Sequence, residues 1–281
     1  MIEYIIIGIL QGLFEWLPIS SSGQVMIVSI NLFNISAEEA YSLTIWLHLG
    51  TTIAVLLKFR TEFIDIIRTF FSKTFSIDQV DVKKRNWLIY ATLGTGITAL
   101  PLYFIFRIII SEAFTAFQGD LITLIISGLL IITGIILLRT RKTYGNKSIK
   151  DVPSKSIQKD SFLSGLVQGI SILPGISRSG VTVSALLLGN YDQDNALNLS
   201  FLMSVPVAIA SIIVDIIFGE GSVFGILDIG TIFITTLVCF LVGYLMIEFL
   251  LRVAKKVNFG YFCILYGILA YVIIIPFILI P

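Results

Sequence analysis

The stretch Leu173-Pro174-Gly175-Ile176-Ser177-Arg178-Ser179-Gly180-Val181-Thr182 interrupts an apolar run that covers residues 162–188. Pro174 lacks an N–H group and clashes with the preceding turn, and the glycine after it is permissive, so we expect a helix to end there. A new helix that begins near Ser177 would direct its unpaired N–H groups and its positive dipole end at this point. Because the guanidinium of Arg178 matches phosphate oxygens, the stretch predicts an anion site, with phosphate the best match.

The composition is that of a protein that crosses a membrane several times. Of the 281 residues, 56% are hydrophobic and only 13% are charged, whereas soluble domains average about 25% charged residues. A charge at membrane depth costs about 2.5–3.5 kcal/mol on insertion scales, so we expect Arg178 to serve a ligand or a partner. Cys239 and Cys263 lie in apolar runs and indicate no disulfide framework.

A second broken run near the N-terminus is a copy of the first. Gly8-Ile9-Leu10-Gln11-Gly12 matches Gly165-Leu166-Val167-Gln168-Gly169, and Ser20-Ser21-Ser22-Gly23 matches Ser177-Arg178-Ser179-Gly180. Each copy is followed by three long apolar segments. We therefore predict one membrane domain, residues 1–281, built by duplication. Its parts are repeat 1 (1–139), a Lys/Ser-rich linker (140–159) and repeat 2 (160–281).

The basic residues indicate how the broken runs lie in the membrane. Each half-run is about 10–15 residues, or roughly 15–22 Å of helix, and reaches only the middle of the bilayer. If both runs are re-entrant hairpins, loops 58–86, 139–159 and 251–258 share one side and hold every basic residue except Arg107 and Arg178. If both runs crossed, these loops would be divided between the two sides. The positive-inside rule therefore favours hairpins, with the basic loops in the cytoplasm.

The predicted fold is an all-α polytopic membrane protein with six transmembrane helices plus two re-entrant broken-helix hairpins. Since about 20 residues cross the hydrocarbon layer, the spans are placed at 41–58, 87–107, 121–139, 195–218, 228–250 and 259–280. Three spans per repeat is an odd number, so the repeats have inverted topology. The hairpin tips, 18–23 and 174–180, should meet near the midplane, where irregular backbone must line a cavity or be buried in protein. Secondary transporters share this plan, so a transporter is the rival interpretation.

Polar groups of both repeats converge if the tips meet. Gln11 and Glu15 are four residues apart and share a helix face, and Arg178 approaches them from the other tip. A structural ion pair between Glu15 and Arg178 is the alternative interpretation. Such a pair rarely gains much over apolar packing, and it would not explain the hydroxyl groups around it, which belong to Ser20, Ser21, Ser22, Ser177, Ser179 and Thr182.

These motifs resemble those of the undecaprenyl-diphosphatase family, the membrane phosphatases linked to bacitracin resistance. Gln11-x-x-x-Glu15 matches the family's [Glu/Gln]-x-x-x-Glu motif, and residues 174–182 match Pro-Gly-x-Ser-Arg-Ser-x-x-Thr. The likeness covers essentially the whole chain. It implies hydrolysis of a C55 polyprenyl diphosphate to the monophosphate and inorganic phosphate, which recycles a lipid carrier for cell-envelope glycan synthesis. It also implies a divalent cation, Mg²⁺ or Ca²⁺, and an active site open to the outside of the plasma membrane.

The motifs and the resemblance together assign the candidate site. Glu15, Ser21 and Arg178 are the expected catalytic residues, and Glu15 is the expected metal ligand. The nucleophile is a serine, with Ser21 preferred, or water. The expected substrate-binding residues are Gln11, Ser20, Ser22, Gln24, Ser177, Ser179 and Thr182. The alternative function is a transporter or flippase of a phosphorylated lipid or another anionic substrate.

Two positions depart from the family pattern. Gln11 removes a possible metal-binding carboxylate, and Gln24 stands where the pattern often has a functional histidine. An amide does not titrate near neutral pH, so either that histidine is not essential or Glu15 and a metal-bound water transfer the proton. We expect His48, the only histidine, to serve packing or support rather than catalysis. Asp215 lies in a span without a partner that the sequence identifies.

The expected partners are a polyprenyl diphosphate lipid and the bilayer, with no nucleic acid. The lipid chain length, the metal and the oligomeric state stay open, and a homodimer is one option.

Overall fold

The computed structural model describes residues 1–17, 19–71, 78–111, 116–140, 145–219, 223–256 and 259–279. Within these ranges the chain is helical and contains no strand. The first half consists of α1 (Ile2–Phe14), α2 (Ser21–Phe33), α3 (Ala37–Lys58), α4 (Arg60–Phe71), α5 (Gln79–Ser111) and α6 (Ala116–Thr140). The second half consists of α7 (Ser154–Gly169), a 3₁₀ turn (Ile170–Ile172), α8 (Arg178–Leu188), α9 (Gln193–Phe218), α10 (Val223–Ile226), α11 (Ile229–Lys256) and α12 (Phe259–Leu279).

Both broken runs form pairs of short helices, as predicted. α1 and α2 have 13 residues each, which is about 20 Å of helix and too short to cross about 30 Å of hydrocarbon. In the second pair the interruption lies between the 3₁₀ turn and Arg178, and Ser177 caps α8 by accepting a hydrogen bond from the N–H of Gly180 at 3.1 Å. The break predicted at Pro18 lies outside the described residues.

Among the residues that the structure describes, five helices are long and apolar enough to cross a membrane: Ala37–Lys58, Gln79–Ile109, Ile122–Arg139, Gln193–Phe218 and Ile229–Phe249. The prediction of an all-α polytopic membrane protein is therefore confirmed. The sixth predicted span also forms a helix, α12, of which Cys263–Val272 is a shorter apolar segment. Six crossings thus stay a prediction.

The connection at residues 58–86, which the sequence indicated as a basic loop, is partly helical. α4 occupies Arg60–Phe71, and α5 begins at Gln79 rather than at residue 87. The reason is the helical spacing of Phe63 and Ile66, which lets one face of α4 bury both side chains in an apolar cluster with Val205.

Each short helix pair packs against a long helix of the other half of the chain. α1 packs against α11, and α7 packs against α5. Glycines allow both approaches, since a Cβ atom at Gly12 would lie 2.8 Å from the carbonyl oxygen of Cys239 and one at Gly169 would lie 2.7 Å from that of Thr95. α3 packs against α9 and α6 packs against α12, so the two halves interlock. The inverted topology of the repeats and their boundaries remain predictions.

Candidate functional site

The two hairpin tips are in direct contact. Ser20 Oγ accepts the N–H of Gly175 at 3.0 Å, and a Cβ atom at Gly23 would lie 2.7 Å from the nitrogen of Gly175. Gly175 has a φ of +101°, a backbone conformation that strains other residues. Thr133 of α6 donates its hydroxyl to the carbonyl of Gly175 at 3.0 Å. The tips therefore approach so closely at Gly23 and Gly175 that neither position has room for a side chain.

The contact between the tips brings Glu15 of the first half against Arg178 of the second half. Arg178 donates from Nη2 to Glu15 Oε1 at 2.5 Å. The second oxygen, Oε2, accepts Ser21 Oγ at 2.8 Å and Gln11 Nε2 at 2.9 Å. Glu15 is 6% exposed. The carboxylate is thus buried with three donors around it, and one donor is a serine hydroxyl that could be deprotonated by it.

His48 is part of this constellation, although the sequence indicated only packing or support. Its Nε2 atom lies 3.4 Å from Glu15 Oε2, and its Nδ1 atom lies 2.6 Å from the carbonyl oxygen of Thr44. The ring therefore lies between a backbone carbonyl of its own helix and the carboxylate of Glu15. The sequence feature that could have assigned His48 to the site is its position as a lone ionisable ring inside a membrane helix.

A cavity of about 230 Å³ lies beside the ion pair, and we call it the side cavity. Its polar end contains Arg178, His48 and Ser22, and its walls come from α3, α5, α9 and the turn at Ile170–Ile172. The buried Nη1 of Arg178 has no hydrogen-bond partner among the described residues, and the same holds for Oε1 of Gln168, which also lines the cavity. A buried guanidinium N–H without an acceptor lowers the stability of the fold. Such a group is expected where a protein binds an anion.

The other predicted site residues mostly hold the tips. Ser20 and Ser177 cap α2 and α8. Gln24 donates its amide to the carbonyl of Ile19 at 2.8 Å and so braces the first turn. Thr182 donates to the carbonyl of Arg178 at 2.7 Å.

Thr182 also shares a hydrogen bond of 2.5 Å with Ser200 Oγ on α9, and Ser179 Oγ lies 3.3 Å from Ser177 Oγ. These hydroxyls therefore fix the start of α8. Of the predicted serines, Ser22 is the one that lines the side cavity, whereas Ser21 lies behind it against Glu15.

Asp215 has polar partners that could not be identified from the sequence. It accepts Ser42 Oγ at 2.5 Å and the hydroxyl of Tyr103 at 2.9 Å, and Arg107 Nη1 lies 3.9 Å away. Arg107 also lies 3.4 Å from Glu38. This polar cluster joins the N-terminal part of α3 to the C-terminal parts of α5 and α9 and is separate from the ion pair at the tips.

The residues around Glu15 fit a divalent cation that shares its coordination with a substrate. Gln11 Oε1 is buried and has no hydrogen-bond partner among the described residues. The side chain of Gln11 donates from Nε2 to the carboxylate of Glu15, so its amide oxygen lies next to that carboxylate. No group of three or more His, Cys, Asp or Glu residues that could hold a metal occurs in the described ranges. Mg²⁺ commonly uses one or two protein carboxylates and takes its other ligands from water and phosphates.

Fold and site define an all-α polytopic membrane protein with an acid–base pair buried where two helix hairpins meet. Residues 4–272 match the family described as Bacitracin resistance protein BacA. The chain is 39% identical over 269 residues to an undecaprenyl-diphosphatase of Methanothrix thermoacetophila, covering 95% of this chain and 94% of the relative. It is 40% identical over 270 residues to one of Methanococcoides burtonii, covering 95% and 96%. A third, of Haloarcula marismortui, is 34% identical over 267 residues, covering 94% and 93%. The chain belongs to the bacitracin resistance protein BacA family.

Proposed function

We propose that this chain hydrolyses undecaprenyl diphosphate to undecaprenyl phosphate and inorganic phosphate, and so recycles a lipid carrier for cell-envelope glycan synthesis. The relatives described above are named undecaprenyl-diphosphatase. The observation that carries the proposal is the contact between Glu15 and Arg178 beside a cavity with an unpartnered guanidinium N–H. The carboxylate of Glu15 and a guanidinium N–H that can donate a hydrogen bond to an anion thus lie within one small volume in a membrane protein.

Binding of the diphosphate relies on positive charge at the tips. Arg178 Nη1 and the first N–H groups of α8 are donors for phosphate oxygens. The ring of His48 adds a further polar group, 3.4 Å from the carboxylate of Glu15. The guanidinium of Arg178 suits the anionic head group and stabilises charge that moves during transfer.

Hydrolysis breaks the bond between the terminal phosphorus and the bridging oxygen. In the first route, Ser21 Oγ transfers its proton to Glu15 and attacks the terminal phosphorus, and the lipid monophosphate leaves with the bridging oxygen. Water then attacks the phosphoserine, and inorganic phosphate is released as Ser21 regains its proton. In the second route, water attacks directly and Glu15 accepts its proton. Both routes require the carboxylate as the base.

A divalent cation completes the proposal. The carboxylate of Glu15 and Oε1 of Gln11 would hold Mg²⁺ or Ca²⁺, which supplies charge neutralisation at the phosphate oxygens. The protein lies in the plasma membrane, with loops 58–86, 139–159 and 251–258 in the cytoplasm and the site open to the outside. The support is the distribution of basic residues. A homodimer remains a prediction.

The test is phosphate release by the purified protein in detergent, with C55 diphosphate and Mg²⁺ or Ca²⁺. We expect release by the wild type, strong loss for Glu15→Ala and Arg178→Ala, and no loss for Gly225→Ala. Gly225 is a suitable control because an added Cβ atom there meets no atom within 4 Å. Absence of release by the wild type, or undiminished release by both site variants, overturns the proposal. Movement of the lipid across liposomes without phosphate release would instead support the flippase alternative.

A further inference from the structure

Gln168 is the counterpart of Gln11 in the second half of the chain, but its surroundings differ. Gln11 donates its amide to the carboxylate of Glu15, four residues further along the chain. The residue four positions after Gln168 is Ile172, which has no polar side chain. Gln168 instead donates Nε2 to Thr95 Oγ1 of α5 at 3.1 Å, and it is 1% exposed. The second hairpin therefore holds a buried amide that has no carboxylate beside it on its own helix.

The contact with Thr95 determines which atom of the amide is left over. Thr95 Oγ1 lies 2.8 Å from the carbonyl oxygen of Ala91 and 3.0 Å from that of Gly165. Carbonyl oxygens only accept, so the single hydroxyl proton of Thr95 is donated to one of them. The hydroxyl oxygen then accepts from Gln168, and the atom that faces it is the amide nitrogen. Oε1 of Gln168 is thus the remaining atom, and it is buried without a hydrogen-bond partner among the described residues.

Hydroxyl groups that share the side cavity with Gln168 already have acceptors. Ser171 donates to the backbone carbonyl of Gln168 at 2.7 Å. Tyr41 donates to the carbonyl of Ile172 at 3.3 Å, and Thr44 donates to the carbonyl of Tyr41 at 2.7 Å. Each of these hydroxyls carries a single proton, so none of the three is available to Oε1. Since buried acceptors are rarely left unpaired, the donor for Oε1 is expected from a molecule bound in the cavity.

Arg178 has the opposite requirement in the same cavity. Its Nη1 is a buried donor without an acceptor among the described residues, and Arg178 lines the side cavity as Gln168 does. Gln168 lies one residue before the end of α7, and Arg178 is the first residue of α8. Both residues therefore stand next to the interruption of the second hairpin. The cavity thus offers an oxygen that can only accept and a guanidinium that can only donate.

We propose that Gln168 and Arg178 bind hydrogen phosphate in the side cavity, with Arg178 Nη1 donating to an ionised oxygen and Gln168 Oε1 accepting from the P–OH group. This site rests on the proposed function, in which inorganic phosphate is the product, and adds the residue that recognises the proton of that product. Inorganic phosphate keeps at least one proton at neutral pH and so offers the donor that Oε1 requires. Sulfate is fully ionised and would leave Oε1 unpaired, so the site should select phosphate over sulfate.

Binding of the two anions to the purified protein tests this selection without turnover. Phosphate and sulfate are titrated at neutral pH and equal ionic strength, and the apparent Kd of each is obtained from the rise in unfolding temperature. We expect the wild type to bind phosphate more tightly. Gln168→Met keeps a long side chain but lacks the acceptor, so it should weaken phosphate binding about tenfold and leave sulfate binding unchanged. Gln158→Met is the matched control and should change neither, because Gln158 is exposed on the same helix.

A second variant preserves the test if Gln168→Met does not fold. Thr95→Val leaves Gln168 in place but removes the hydroxyl that holds its amide, so the amide can turn and present Nε2 to the cavity. The preference for phosphate over sulfate should then fall, because a donor pairs with either anion. Equal weakening of both anions in Gln168→Met would show a purely structural role, and unchanged phosphate binding in both variants would show that Oε1 binds water only. Either result overturns the hydrogen-phosphate site.

The outcome is distinguishable from that of the proposed function. Phosphate-selective binding that depends on Gln168 supports the site even if C55 diphosphate is not hydrolysed, in which case only the proposed function fails. Hydrolysis by a wild type that binds phosphate and sulfate equally well supports the proposed function and overturns the site.

Discussion

The buried pair between Glu15 and Arg178 can be tested as a catalytic or a purely structural feature by removing one charge and then both. Glu15→Gln keeps the size of the side chain but leaves the guanidinium without its counter-ion. Both groups are largely buried, with side chains 4% and 14% exposed. Loss of one partner from a buried pair costs about 3–5 kcal/mol of stability. Loss of the base is expected to reduce phosphate release by roughly 10²–10⁴-fold.

The double variant Glu15→Gln with Arg178→Met separates these two losses. Replacing both partners of a buried pair by neutral side chains is often neutral for stability, so we expect most of the lost stability to return. Phosphate release should not return, because the variant lacks both the carboxylate that accepts the proton and the guanidinium that binds the phosphate. The measurements are thermal unfolding in detergent and phosphate release from C55 diphosphate, on the same preparations.

An exposed pair provides the control for the effect of charge removal. Lys58 and Glu248 lie 3.0 Å apart with side chains 37% and 57% exposed, and such pairs contribute about 0–1 kcal/mol. Glu248→Gln should therefore change neither stability nor activity measurably. A double variant at the tips that regained wild-type phosphate release would refute a catalytic role for the pair and leave only the structural one.

Three further predictions concern the neighbouring groups. His48→Gln should lower phosphate release by roughly tenfold or more while leaving the unfolding temperature near that of the wild type, because the ring that contacts the carboxylate of Glu15 is lost and no large side chain is removed; equal activity of the two proteins would exclude a role in the reaction. Chelation with EDTA should abolish phosphate release, and excess Mg²⁺ or Ca²⁺ should restore it, whereas full activity in EDTA would contradict the proposed cation. Gly12→Ala should destabilise the protein by about 1–3 kcal/mol in thermal unfolding, since its Cβ atom would lie 2.8 Å from the carbonyl oxygen of Cys239; a wild-type unfolding temperature would show that α1 and α11 separate easily.

The sequence predicted the tips well because covalent rules act locally there. Pro174 and Gly175 follow the 3₁₀ turn that ends at Ile172, Ser177 caps the next helix, and the matching serine stretch in the first half points to a second tip. The contact between Glu15 and Arg178 followed from the duplication and the distribution of basic residues. These are strong constraints, since a membrane admits few ways to place a charge.

The roles of individual polar side chains could not be predicted in the same way. Their hydrogen bonds depend on which helices pack together, and apolar membrane helices carry little information about their neighbours. Asp215 finds Tyr103 on α5, and His48 reaches Glu15 from α3. Thr182 turns toward Ser200 on α9. Each contact joins residues from helices whose pairing became known only with the fold.

The exchange of packing partners between the two halves has a consequence for biosynthesis. Glu15 leaves the ribosome 163 residues before Arg178, which corresponds to roughly 8–30 s at synthesis rates of about 5–20 residues per second. The helix that holds Gly12, α11, is completed still later. Throughout this interval Glu15 has its partners Gln11 and Ser21 but lacks Arg178, and α1 lacks the helix α11, so the N-terminal half does not mature as an independent unit and the two halves reach their final state together.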